Sequence, residues 1–466
     1  MSERLLLGMT QSTCPRCRAL IPAKIIGYEG DVYMDKFCPE HGSHFVFIRS
    51  DVEDYLRTLR YVKPALKPHV AHGDEHAPCP SGCGFCDWHE QHLCLPIIEI
   101  TQACNLDCPI CIVDAGKDEQ MSIGEFSHVL DCLLDAEPQI DVLNISGGEP
   151  LIHPDLIAIL DEALKRPEIV RVSISTNGLR LLEDLSLLES LEARDVVIAL
   201  QFDGFDDRIY EKLRARPLLD EKRKILDLLI SRDVTTSLTM TAGRGINEDA
   251  FADMLELLFS TPNIVSMMIQ PLIYDGRARD LPVPDKKLTL PEIIQLLAAT
   301  GMVRREDFTP LPCCHPVCFS LAFFLITENG NRHALAKLLD SAAWLDIIAN
   351  KAVFGLDENE HEAIREMIYD LWSGPAAANP ESESVLNTVR NLLREISRKS
   401  CGCFDPRQAF LVGERKIKSV FIHAFQDVDN FDLARARRCC NGYPQKDGRV
   451  IPACVRNVAP RCVSWG

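Results

Sequence analysis

The chain has 466 residues, 46% apolar and 25% charged, the proportions of a soluble globular protein with room for two to four domains. A formal charge of −18 argues against a broad nucleic-acid surface, which would need clustered Lys and Arg. The 20 cysteines stand in a long chain that opens without a secretory h-region, so they read as metal ligands of a cytoplasmic protein rather than as disulfides. No run approaches the roughly 20 apolar residues of a membrane span, which leaves peripheral contact as the one membrane role open. Residues 1–60 carry Cys14-Pro15-Arg16-Cys17 and Cys38-Pro39-Glu40-His41 on either side of a hairpin-like segment. Cys14, Cys17, Cys38 and His41 form a tetrahedral donor set for zinc, or for mononuclear iron if another cysteine replaces the histidine. Such a site is structural, because a segment this small cannot bury enough core to fold unaided.

Residues 61–94 form a charged linker ending in a C-x3-C-x2-C loop, Cys79, Cys83 and Cys86, with Cys94 close behind. Four thiolates suit a fully ligated iron–sulfur cluster. A second triplet, Cys104, Cys108 and Cys111, directly follows a strand-like run and has no fourth cysteine nearby. Three thiolates leave one iron of a four-iron cluster free to bind another ligand.

From residue 95 to 275 strand-like runs alternate with amphipathic stretches. The runs are Leu95–Thr101, Val142–Ser146, Val170–Ser175, Val196–Phe202, Thr235–Met240 and Ile264–Gln270. Six βα units predict an α/β domain, an open partial (βα)6 barrel with its site at the carboxyl ends of the strands. At those ends stand Ser146-Gly147-Gly148-Glu149, where paired glycines admit a ligand close to the backbone and Glu149 can accept from an ammonium. Ser175, Asn177, Gln201 and Asp203 project toward the same rim and suit a ribose and a carboxylate-bearing ligand.

Residues 276–466 read as mainly helical, with stretches at Leu290–Thr300, His333–Ala349, Glu360–Leu371 and Ser384–Ile396. Their cysteines are expected to converge on a further cluster held by Cys313, Cys318, Cys439 and Cys454, with Cys314 and Cys440 as rivals within their pairs. Cys401 and Cys403 are either further ligands or structural thiols, and Cys462 is unassigned.

The Cys104–Cys111 loop followed by Ser146-Gly147-Gly148-Glu149-Pro150 resembles the radical S-adenosylmethionine (SAM) superfamily, apart from Ile110, where that superfamily often has an aromatic residue. The resemblance implies a cluster whose open iron binds SAM, cleavage to a 5′-deoxyadenosyl radical, and a Glu149 motif that meets the SAM amino group. Adding the N-terminal knuckles, the tandem triplets, Pro312-Cys313-Cys314-His315-Pro316-Val317-Cys318, His423-Ala424-Phe425-Gln426-Asp427 and the final Cys439-Cys440 and Cys454 motifs, nearly the whole chain is similar to the archaeal tetraether synthases. Their relatives include 7,8-dihydro-6-hydroxymethylpterin methyltransferases. That similarity implies three 4Fe–4S clusters, SAM, one mononuclear zinc or iron, a lipid or small-molecule substrate, and a ferredoxin or flavodoxin donor. It favours C–C bond formation on a lipid chain, with radical methylation of a pterin or other small molecule, a peptide-modifying maturase and a non-catalytic iron–sulfur electron carrier as alternatives.

Overall fold

The computed structural model describes residues 4–70, 79–80, 82–113, 115, 118–351, 380–399 and 406–458. The helix expected at Glu360–Leu371, and Cys401, Cys403 and Cys462, lie outside the described residues.

Four antiparallel strands come first: β1 (Leu5–Thr13), β2 (Leu20–Tyr28), β3 (Asp31–Cys38) and β4 (Gly42–Arg49), paired in chain order. Period-2 alternation on β3 buries Val32, Met34, Lys36 and Cys38 and turns Tyr33, Asp35 and Phe37 outward, so a lysine shares the inner face with a candidate metal ligand. Helix α1 (Val52–Thr58) follows, its first turn capped by the Asp51 carboxylate, which accepts from the Asp54 amide.

The second body is built on β5 (Leu95–Thr101), β6 (Ile140–Gly147), β7 (Ile169–Thr176), β8 (Val197–Gln201), β9 (Thr236–Ala242) and β10 (Ile264–Pro271). Each pairs in parallel with the next. The connections carry α2 (Ile123–Ala136), α3 (Leu156–Leu164), α4 (Leu179–Glu183), α5 (Leu185–Glu192), α6 (Asp207–Arg214), α7 (Leu219–Ser231) and α8 (Phe251–Ser260). One face of the strands, including Ile98, Leu143, Ile145, Ile174, Ile198, Leu238 and Met267, is buried with the apolar faces of these helices in a single core. The other face mixes small or polar side chains, Asn144, Ser173, Ser175, Ala199, Ser237, Thr239 and Ser266, with a few larger apolar ones, Ile97, Val142, Val197 and Met268. Filled barrels place bulky branched residues there. Small side chains leave this one hollow, with an internal cavity of about 260 Å³.

The region expected to be mainly helical contributes strands as well as helices. After α9 (Leu290–Ala299) come β11 (Thr309–Pro310), β12 (Phe319–Ile326), β13 (Arg332–Ala334), β14 (Ile417–His423), β15 (Asn441–Pro444) and β16 (Val450–Pro452). β14 adds to β10 in parallel and β15 adds to β5 in parallel, so the C-terminal chain covers both edges of the six-stranded series. The expected helix His333–Ala349 is two short helices, Leu335–Leu338 and Ser341–Ile348, with Asp340 capping the second. An open parallel sheet has two rows of unpaired backbone groups, and these strands satisfy them. Among the described residues no helix is long and apolar enough to cross a membrane.

Candidate active site

Cys104, Cys108 and Cys111 line a cavity of about 250 Å³ at the carboxyl ends of the strands, together with Ser146, Gly147, Gly148 and Glu149. All three thiols are free, and burial pushes Cys104 up to about 11. The Leu106 amide donates to Cys104 Sγ at 3.4 Å, the kind of contact that stabilises a cluster thiolate. The glycines are required here: a Cβ on Gly148 would lie 2.1 Å from Ala103 O, and one on Gly147 would lie 2.3 Å from Thr101 O at a φ of +140°. Three free thiols and an exposed backbone edge in one cavity fit a three-cysteine cluster with an open iron.

The structure redistributes the polar residues around this cavity. Glu149, expected to receive an ammonium, is 1% exposed and already accepts from Thr176 Oγ1 at 2.6 Å, Asn177 N at 2.8 Å and Leu151 N at 3.0 Å. Its carboxylate ties the end of β6 to the end of β7, and backbone of the Gly-Gly turn lies beside it in the cavity wall. Asp203 is buried below the cavity rather than in its wall, where it chelates Arg214 through Oδ2 to Nε at 2.8 Å and Oδ1 to Nη2 at 3.0 Å. Arg214 is the group that reaches the cavity, where Cys108 is one of its electrostatic neighbours. Ser175, Asn177 and Gln201 do line the wall. Ser175 donates to Asn144 Oδ1 and Asn177 to Asn105 Oδ1, while Gln201 Oε1 accepts from Lys222 Nζ at 2.9 Å.

Lys222, Arg214 and Phe425 were missed from sequence. Lys222 is fully buried on α7 beside Ile225, Leu226 and Leu229, where burial lowers its ammonium to about 7 against the pull of Asp203. A lysine on the apolar stripe of an amphipathic helix was the available signal. Arg214 ends α6, a strongly charged helix, and nothing in the sequence separates it from a solvated arginine.

The hollow of the barrel adjoins this cavity, the two sharing Ser175, Gln201's neighbour Thr239, Gln270 and Phe425 in their walls. Ser173, Ser237 and Ser266 line it from β7, β9 and β10, and Phe319, Phe323 and Phe421 line it from β12 and β14, with Ser419 beside Phe421 on β14. Arg171, bonded to Glu414 through Nη2 at 3.0 Å, stands in the wall at the amino ends of the strands.

The remaining cysteines form a belt beside the barrel. Cys79 contacts Cys83 and Cys86, and Cys83 has Cys439 as an electrostatic neighbour. Cys94, expected to complete that loop, lies elsewhere: its thiol contacts Cys313 and Cys440. The cause is strand register. Asn441 of β15 pairs with Leu95 of β5, so Cys440 and Cys94 sit side by side, and both Cys94 N and Leu95 N donate to Cys440 O, at 2.8 and 3.1 Å. Of the other expected quartet, Cys439 faces Cys454 and Cys318, whereas Cys313 joins Cys94. Cys318 Sγ accepts from Arg435 Nε at 3.1 Å, and Cys314 contacts Cys440.

Cys14, Cys17, Cys38 and His41 come together, all four donor atoms within 4.8 Å of one another. Cys17 and Cys38 sulfurs are 3.8 Å apart, and His41 Nδ1 lies 3.6 Å from Cys14 Sγ and 3.5 Å from Cys38 Sγ. Metal bonds of about 2.3 Å to sulfur and 2.0–2.1 Å to nitrogen, set tetrahedrally, require neighbouring donors about 3.5–3.8 Å apart. The donor set fits a single tetrahedral ion, and a three-sulfur, one-imidazole set fits zinc.

Residues 98–258 match the radical SAM superfamily, and residues 6–50 match the HMPTM N-terminal zinc ribbon domain. The chain contains a radical SAM domain, an α/β parallel-sheet domain preceded by a zinc ribbon. It is 25% identical over 97% of its length to 7,8-dihydro-6-hydroxymethylpterin dimethyltransferase of Methanocaldococcus jannaschii, spanning 94% of that protein. It is 31% identical over 34% of its length to GTP 3′,8-cyclase of Chlorobaculum tepidum, of which it spans about half, 48%. Among solved structures, a radical SAM methyltransferase from Sphaerobacter thermophilus is similar at 12% identity and a TM-score of 0.33, covering 65% of this chain and 76% of that one.

Proposed function

We propose that this radical SAM enzyme abstracts hydrogen from a flat heteroaromatic substrate of the pterin class seated in the hollow barrel and replaces it with a methyl group from a second SAM, which leaves as S-adenosylhomocysteine, the reductant supplying one electron for each SAM consumed. The observation that carries this reading is the cavity itself, whose wall runs from the aromatic rings of Phe319, Phe323 and Phe421 on β12 and β14 to strand hydroxyls and amides such as Asn144, Ser173, Ser237 and Ser266 on β6, β7, β9 and β10. A flat ring stacks on the aromatic part of that wall and hydrogen-bonds along its edge to the polar part. The similarity along 97% of the chain to a pterin dimethyltransferase supports the same substrate class.

In this reading Cys104, Cys108 and Cys111 hold the SAM cluster, Gly147 and Gly148 offer backbone to the SAM amino group, and Arg214 takes its carboxylate. Ser175, Asn177 and Gln201 face the ribose, with Lys222 fixing Gln201. Once bound and reduced, the cluster and SAM supply a 5′-deoxyadenosyl radical. The chain's own residues orient the substrate and exclude water. Cys79, Cys83 and Cys86, with Cys439, form one auxiliary site. Cys94, Cys313 and Cys440 begin a second, with Cys314, Cys318 and Cys454 around it. Cys14, Cys17, Cys38 and His41 hold zinc. A ferredoxin or flavodoxin in the cytoplasm supplies electrons.

A second reading, C–C coupling on a lipid chain, draws on the apolar share of the same lining. The buried Arg171–Glu414 pair weighs against it, because an alkyl terminus there would meet charge. The test is anaerobic turnover of reconstituted protein with SAM and dithionite, offered either 7,8-dihydro-6-hydroxymethylpterin or a dialkyl glycerol lipid. Pterin should stimulate 5′-deoxyadenosine formation and gain mass in methylene increments. Stimulation by lipid alone overturns the pterin reading.

A further inference from the structure

The sheet's two added edge strands are β14, ending at His423, and β15, starting at Asn441, and residues 424–440 are the chain that runs between them. At its start Phe425 stands in the wall of three spaces at once: the cavity of Cys104, Cys108 and Cys111, the hollow of the barrel, and a gap of about 60 Å³ beneath the N-terminal strands.

This crossing segment is gripped from both sides. On the barrel side Asp427, with no exposed surface, accepts from the Tyr274 amide and pairs with Lys287. Tyr274 leads into the turn that carries Gly276 and Arg277. There Arg277 N donates to Cys111 O at 3.0 Å, and a Cβ on Gly276 would lie 2.5 Å from the same oxygen. On the ribbon side Lys36, 2% exposed, donates from Nζ to Asp429 O at 2.7 Å, Thr13 O at 2.7 Å and Ser12 Oγ at 3.0 Å. Thr13 Oγ1 donates to Val428 O at 3.1 Å and Thr10 Oγ1 to Asp432 Oδ1 at 2.5 Å. A buried ammonium is costly unless its donors are all met, and two of the acceptors of this one are ribbon atoms while the third is backbone of the crossing segment.

We propose that the zinc ribbon is a positioning clamp for the SAM pocket, in which Lys36 fixes residues 427–432 and these hold Phe425 and the Cys111 turn in place. The inference rests on reading the Cys104–Cys111 cavity as the SAM site. Among the described residues the ribbon strands supply no wall to that cavity, so their influence on it is indirect, through the crossing segment and through Pro271, Leu272 and Ile273, which border both the cavity and the gap beneath the ribbon.

The experiment uses the full reconstituted chain and follows zinc content, iron content, the SAM dissociation constant and 5′-deoxyadenosine formation. Variants are Lys36→Met, Thr13→Val, Phe425→Ala, the double variant Lys36→Met with Phe425→Ala, and Lys24→Met as an exposed ribbon control. Lys36→Met and Thr13→Val should keep zinc and iron yet weaken SAM binding about fivefold to tenfold, with Lys24→Met unchanged. The double variant should be weakened by less than the product of its single effects. Wild-type SAM affinity in the folded, zinc-loaded Lys36 and Thr13 variants, or fully multiplicative effects with Phe425→Ala, overturns the clamp. Wild-type protein that neither binds nor cleaves SAM overturns the site reading itself, and the clamp with it.

Discussion

At the scale of single residues, the site depends on backbone that nothing can replace and on a carboxylate held by three donors of the protein itself. Gly148 approaches Ala103 O so closely that any side chain must displace the turn, since both partners are backbone. Gly148→Ala should therefore lower SAM affinity at least tenfold while the zinc site stays loaded, as titration of SAM against metal-analysed protein will show. Glu149 makes a different demand. Its oxygens receive three donors, so Glu149→Gln turns an amide donor toward other donors and should cost about 1–3 kcal/mol of stability, seen in thermal unfolding, besides any loss of SAM binding. A group that only touched the ligand would leave unfolding unchanged.

At the scale of elements, α1 is pinned by charge. Asp54 accepts from Arg49 Nη2 at 2.7 Å, Arg57 Nη2 at 2.5 Å and Arg305 Nη2 at 2.9 Å, joining β4 and α1 to the turn after α9. Burial pulls its carboxyl up, but the arginines, Arg49 above all, hold it at about 2, below the ordinary 3.8. The unfolded chain thus binds more protons between these values, and the stabilisation is complete above pH 3.8 and is lost as pH falls through 2. Asp54→Asn should cost about 2 kcal/mol at neutral pH and progressively less below pH 3.8, measured as the gap between denaturation curves. The same scale explains what could be read from sequence. β5 to β10 were legible because helices and strands alternate locally, and the zinc donors because they form two short knuckles, at the β1–β2 and β3–β4 turns, on either side of one hairpin. β12 was hidden because Leu321–Ile326 is uninterrupted apolar chain without a period, and β15 because four residues containing Gly442 and Pro444 carry no strand signal. Cys94 was assigned by nearness in sequence to Cys86, whereas its neighbours are set by a pairing with β15 more than 300 residues away.

At the scale of the whole molecule, the C-terminal chain decides how the thiols are shared. Cys439 and Cys440 are adjacent in sequence but belong to opposite sides of the belt, Cys439 near Cys83 and Cys454, Cys440 against Cys94 and Cys314. On the proposed assignment of the auxiliary sites, closure of the barrel edge by β15 and their assembly go together, since the register that pairs Asn441 with Leu95 also delivers Cys440 to Cys94. Iron content tests this directly. Cys83→Ala and Cys94→Ala should each remove about four irons, and the double variant about eight, leaving the Cys108 cluster to bind SAM. Cys108→Ala should instead remove about four irons and abolish 5′-deoxyadenosine formation with the belt intact. A double variant that loses no more iron than Cys83→Ala alone would return Cys94 to the first loop. In that case the contact between Cys94 and Cys440 would be packing alone, and closure of the edge would proceed without the metal.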